Sequence, residues 1–183
     1  WDESWTRQGV GTAAYTVDGR YPGGRFLVWD GTIGDPEFNG VVAQGQGFLV
    51  RTTSDSPQLA VSEVAQVDTA LNSFREKRTQ ATSNHMVVTL KQGTLIDRTY
   101  LKFSEEASNH FEVTDAVKRR NGYFSLSSLS SDSVSLAINH LSETFCDRAV
   151  GLMTDTPTGG NYALQFGGPL FSDTSGEILL RDR

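Results

Sequence analysis

Turn signals recur about every ten residues along this chain, and that spacing limits its fold more than any single motif does. Asp18-Gly19, Pro22-Gly23-Gly24, Asp30-Gly31, Gln92-Gly93, Asn121-Gly122 and the Gly159-Gly160 loop separate short runs rich in Val, Phe, Tyr, Leu and Thr. Short β-branched or aromatic runs bounded by Gly, Asp and Asn read as antiparallel strands. Roughly eleven of them predict an all-β antiparallel β-sandwich or jelly-roll-like fold with one or two short helices.

The segment Gly40 to Thr53, GVVAQGQGFLVRTT, is the strongest local signal. It reads as a hairpin: a strand over Gly40 to Ala43, a tight connection through Gln44 to Gly47, and a second strand over Phe48 to Thr53. The glycines at 45 and 47 supply the left-handed backbone that a bulged hairpin uses. With a period of two, Phe48 and Val50 share one face and Leu49 and Arg51 the other.

Further strands are expected over Ala13–Val17, Arg25–Trp29, Met86–Lys91, Leu95–Phe103, Tyr123–Leu126, Val134–Ile138, Ala149–Met153, Tyr162–Phe166 and Ile178–Leu180, with Leu59–Val61 as an edge strand. Trp1 to Gly11 reads as irregular. Ser104 has the chemistry of an N-cap for Glu105 to Ala107, and Thr114-Asp115 caps a second short helix through Lys118. On that basis Lys118, Arg119 and Arg120 are a solvated helix end, where the macrodipole favours cations. The serine-rich run from Ser125 to Ser135 reads as a polar connection. A long polar stretch, Gln66 to Asn84, holds Leu71 and Phe74 at the spacing of one helical turn and divides the chain into residues 1–80 and 81–183, two β subdomains or one continuous module.

The 183 residues suffice for a buried core, with 21% charged and 10% aromatic side chains in a folded composition. A net charge of -6 is the wrong sign for a phosphate-backbone footprint, so no nucleic-acid partner is expected. No apolar run is long enough for a transmembrane helix. Cys146 stands alone, which excludes an intrachain disulfide and a cysteine-rich metal site, and His85, His110 and His140 lack zinc-ligand spacing.

The order of Trp1-Asp2-Glu3, Tyr15, Trp29, Glu37-Phe38-Asn39-Gly40 and Gln44-Gly45-Gln46-Gly47-Phe48 resembles the large cell-surface proteins of Bacteroidetes exported by the type IX secretion system. Asp97-Arg98-Thr99-Tyr100-Leu101-Lys102-Phe103, Glu105-Glu106-Ala107, Phe111, Asp115-Ala116 and Lys118 are similar to a second stretch of that family, and Ser135 to Asn139 and Gly151-Leu152 before Tyr162-Ala163-Leu164 to a third. The family's upstream Gly-Asn-Pro-aromatic-Pro stretch does not occur before Trp1, and the chain stops at Ile178 to Asp182 where the family continues into another strand. The resemblance therefore implies one β-rich segment of a longer surface or secreted protein. It also implies an extracellular location, an adhesive, structural or surface-assembly role, and partners among neighbouring domains of the same polypeptide and other surface molecules. It carries over no catalytic residue and no cofactor.

Three groups of residues are candidates for chemistry. Asp30, Asp35 and Glu37 share a glycine-rich loop and can offer oxygens to calcium, although a plain solvated turn explains them as well. Asp97, Glu105 and Asp115 are the carboxylates that a glycosidase pair would draw on, against turn and capping roles. Tyr21 and Trp29 flank turns and form a candidate carbohydrate platform, against burial in a core. The function expected is non-enzymatic, with a carbohydrate-binding module of a secreted glycan-degrading enzyme as the alternative.

Overall fold

The computed structural model describes residues 1, 4–66, 84–143, 149–173 and 179–182. The fold is all-β, as the turn spacing predicts, and its strands lie in three sheets. Among the described residues helix is confined to a 3-10 turn over Glu63–Ala65 and a short α1 over Pro169–Asp173, and no helix is long and apolar enough to cross a membrane.

The N-terminal half supplies a ribbon and a small sheet. β1 (Trp5–Gln8) pairs antiparallel with β5 (Gln58–Val61). β2 (Val10–Asp18) runs between β3 (Arg25–Trp29) and β4 (Leu49–Thr52), antiparallel to both. Alternation sends Ala13, Tyr15 and Val28 to one face of this sheet and Ala14, Leu27 and Trp29 to the other, and both faces are covered. The second face packs with Trp1, Phe38, Trp5, Phe48 and Val50, and Trp5 meets Phe48 edge to face at 5.6 Å.

The C-terminal half builds the large sheet. β6 (His85–Gln92) and β7 (Leu95–Ser104) form a hairpin whose two-residue turn places Gly93 at φ 59°. β7 pairs in parallel with β10 (Ser135–Ser142), Tyr100 opposite Ile138, and this is the one parallel pairing among the described strands. β8 (Ala116–Val117) and β9 (Ser125–Leu129) pair antiparallel with β10, β11 (Leu152–Asp155) borders β9, and β12 (Ala163–Gly167) borders β6. The sheet curls, so that the Leu126 amide donates to Asp97 Oδ2 at 2.6 Å and the Ser128 amide to Thr99 Oγ1 at 3.2 Å. Val88, Leu90, Phe124 and Leu126 fill the curl.

The small sheet lies on the large one. Ala13, Tyr15, Val28 and Ile33 pack against Tyr100, Ala116, Ala137 and Ile138, a core to which both halves of the chain contribute. The boundary near residue 80 falls outside the described residues, as do Leu71, Phe74 and Cys146.

Several local expectations are corrected. The tight turn after Ala43 forms, with Gly45 at φ 78° and the Gln46 amide donating to Ala43 O, but Gly40 to Ala43 is not a strand and the hairpin does not exist. β4 finds its partner in β2 instead, and Phe48 and Val50 do face inward while Leu49 is exposed. Glu105 to Ala107 makes a single turn rather than a helix. Asp115 spends its carboxylate on the amides of Glu112 and His140, which directs the chain into β8 rather than a helix. Trp5–Gln8 is a strand, Leu179 and Leu180 are exposed and belong to none, and Ile178 lies outside the described residues. The serine-rich run holds the buried strand β9, because Ser127 and Ser128 find oxygen partners in Met153, Thr99 and Leu136.

Candidate functional site

A group of the interior's ionisable residues, among them Arg25, Asp35 and Arg98, gathers where the two sheets meet. After β3 the chain doubles back: the Asp30 amide donates to Ile33 O, the Asp35 amide donates to Val28 O, and Trp29 bridges to Gly34. A side chain at Gly34 would run into the β3 backbone, so only glycine allows this return. The return carries the Asp35 carboxylate beneath β3, where it accepts from the Val28 amide at 3.0 Å and from the Arg25 guanidinium. From β7 of the other sheet, Arg98 Nη1 donates to Asp35 at 3.2 Å and to Glu37 at 3.1 Å, and the Tyr100 hydroxyl reaches Asp35 at 3.4 Å.

Arg25 is fully buried. Its Nη1 lies 3.5 Å from Glu37 Oε1, its Nε has no hydrogen-bond partner among the described residues, and its guanidinium carbon sits 5.4 Å from the Tyr21 ring. Burial alone would weaken its charge, but Asp35 and Glu37 hold it firmly protonated. Burial pushes the Asp35 carboxyl up, against the pull of Arg25 and Arg98. Glu37 is held low because Arg98 and Arg25 outweigh its desolvation.

Two further ion clusters flank this one. Asp30 Oδ2 receives Lys102 Nζ and faces His140 Nε2, each at 3.2 Å, while its Oδ1 accepts from the Thr32 and Ile33 amides. Burial would raise the Asp30 carboxyl, but the His140 hydrogen bond, the Lys102 charge and the two amides hold it well below the usual carboxylate range. Asp97 pairs with Lys118 Nζ at 2.7 Å, with both side chains buried. Lys118 is therefore an interior cation and not part of a solvated helix end, although Arg120, paired with Asp155 at 3.3 Å, is exposed. A small cavity of about 10 Å³, room for one water molecule, is lined by Tyr15, Val28, Asp35, Arg98 and Lys118 among others.

The candidate residues fall into place against this frame. Asp30, Asp35 and Glu37 each face cations of β3 or β7, with the His140 ring of β10 also against Asp30, and among the described residues no group of three His, Cys, Asp or Glu side chains is gathered to hold a metal. Asp97 and Asp115 are buried in separate structural hydrogen bonds and Glu105 is exposed, so the glycosidase carboxylates are not drawn into a pair. The platform of Tyr21 and Trp29 is not assembled. Trp29 is 4% exposed in the core beside Trp1 and Phe38, because alternation along β3 turns it inward with Leu27, whereas Tyr21 is half-buried and stacks on Tyr123 at 5.8 Å. Arg25, Arg98, Lys102 and Lys118 were not candidates from the sequence. The signal for them is a charge inside an apolar strand pattern, Arg25 at the head of RFLVW and Arg98 and Lys102 within DRTYLKF.

No family model matches this chain, and no curated protein or solved structure matches it either.

Proposed function

We propose that this chain is a non-enzymatic module of a cell-surface or secreted protein, of the kind that Bacteroidetes export through the type IX secretion system, and that it serves adhesion, spacing or surface assembly. The observation that carries this proposal is the use made of the interior charges: Asp35, Glu37, Asp30 and Asp97 each spend their carboxylates on cations that tie one segment to another. Such ties favour one rigid packing of the sheets. The partners in this proposal are neighbouring domains of the same polypeptide, glycans or other surface proteins.

The test is protease shaving and antibody labelling of intact cells of the source organism. Labelling of intact cells, lost on shaving, is the expected result; antigen found only after lysis overturns the proposal. The alternative, a carbohydrate-binding module, keeps Tyr21 as its remaining aromatic, since Trp29 is in the core. A glycan array separates the two, because a carbohydrate-binding module gives a signal that Tyr21→Ala abolishes.

A further inference from the structure

Lys118 and Asp97 form a buried ion pair in which the amine straddles both carboxylate oxygens at charge-assisted hydrogen-bond distance. Nζ lies 2.8 Å from Oδ1 and 2.7 Å from Oδ2, so it faces the carboxyl carbon between the two oxygens. The side chains are 7% and 2% exposed, which keeps bulk water from both. Oδ2 also accepts the Leu126 amide at 2.6 Å, and Nζ also donates to the Arg98 carbonyl at 2.9 Å.

We propose that Lys118 and Asp97 condense into a side-chain amide, an isopeptide cross-link between β7 and the segment that follows β8. One ammonium proton passes to the carboxylate, and the neutral amine attacks Cγ. The Nζ–Cγ bond forms, the Cγ–Oδ1 bond breaks, and Oδ1 leaves with two protons as water. An ammonium and a carboxylate thus become one neutral amide and one water, with no oxidant, reductant or cofactor.

The surroundings suit each stage. The Leu126 N–H on Oδ2 polarises the carbon and stabilises the oxyanion of the tetrahedral intermediate. Holding amine and carboxyl together replaces an intermolecular encounter, an advantage of about 10⁵ M or more in well-oriented cases. Asp35 and Lys118 line the same water-sized cavity, which can receive the departing water. The product leaves no polar atom stranded: Oδ2 keeps the Leu126 amide as the amide oxygen, and the surviving Nζ–H keeps the Arg98 carbonyl. A buried ion pair, costly to desolvate, is replaced by a satisfied neutral group.

The experiment is the intact mass of the folded, purified full chain, measured after denaturation. The wild type is expected to be one water lighter than its sequence requires, and digestion is expected to leave the peptides carrying Asp97 and Lys118 joined. Lys118→Met is expected at its full sequence mass. Asp97→Asn, which keeps the shape of the side chain, loses ammonia instead of water and converges on the same cross-linked mass as the wild type. A folded wild-type chain that keeps its full sequence mass on prolonged incubation overturns the proposal, whatever the variants do.

Discussion

Tyr15 reaches from the small sheet to the large one and donates its hydroxyl proton to the carbonyl of Val117 at 2.8 Å. Tyr15→Phe leaves that carbonyl without its donor, which costs about 1–3 kcal/mol at neutral pH by urea unfolding. Burial also pushes the phenol up to about 12, against the pull of Arg119 and Arg51. An unfolded tyrosine titrates near about 10. The stability tied to this proton is whole below that value and is lost as pH rises through about 12. Between those limits the wild type is expected to lose more stability than Tyr15→Phe, which keeps the losses due to Tyr100 and Tyr123, both also raised by burial.

Removing the acid at the centre of the charged layer is expected to be severe. Asp35→Ala leaves the fully buried Arg25 with the longer 3.5 Å contact to Glu37 and weakens the hold on Arg98, a loss of about 3–5 kcal/mol for a broken buried pair. The double variant Arg25→Met, Asp35→Leu removes both charges and is expected to recover part of that loss. Urea midpoints for wild type, single and double variants measure the coupling.

Acid sensitivity is expected to reside in Asp30. Its carboxyl titrates well below its unfolded value of about 4, so the stability it adds is present above about pH 4 and is lost as pH falls toward the folded value. Asp30→Asn is expected to unfold at a lower urea concentration than wild type at pH 6, and the gap is expected to narrow as pH falls below about 4. A gap that stays constant with pH contradicts the assignment.

The contrast between Trp29 and Tyr21 is testable by truncation. Trp29→Ala opens a cavity in the core and is expected to cost about 3–5 kcal/mol. Tyr21→Ala loses a half-exposed stacking contact with Tyr123 and is expected to cost about 1 kcal/mol. Thermal unfolding of the two variants distinguishes a core residue from a surface one.

The turns at Gly23 and Gly122 touch backbone to backbone. A methyl group at Gly122 would lie 2.5 Å from Gly23 Cα, and the Gly122 amide donates to Gly24 O at 3.2 Å. Gly122→Ala is expected to force the two turns apart and cost about 1–3 kcal/mol. Gly19→Ala, where a methyl meets nothing, is the control.

Where a strand position was legible, it is because the position is written locally. Arg25–Trp29 is a run of alternating inward residues between two turns, and the expected limits are the observed ones. Partners were not legible. Gly40–Ala43 has an apolar pattern fit for a strand, yet Gly40 O accepts from Trp1 N and the Val41 and Ala43 amides are taken by the Asn39 and Gln46 side chains, so these groups are not free for a ladder with β4. The capping expected of Ser104 and Asp115 takes another form: Ser104 meets the Ala107 amide with its backbone carbonyl, in a turn, and Asp115 reaches back to the Glu112 amide and across to that of His140 rather than forward into a helix. The charged layer was hidden for a related reason. Asp35 and Arg98 are 63 residues apart, and no local pattern announces that each exists to answer the other.

Synthesis runs from the N-terminus, and the core between the sheets cannot be completed in that order. Ala13, Tyr15, Val28 and Ile33 are made long before Tyr100, Ala116, Ala137 and Ile138, which cover them. Until Arg98 emerges, the small sheet presents an apolar face and an incompletely answered acidic cluster to its surroundings. Contacts of such long separation make folding slow, on the order of milliseconds to seconds for sandwiches. A growing chain of this kind therefore carries uncovered apolar surface, the condition under which chains aggregate, until its second half is made.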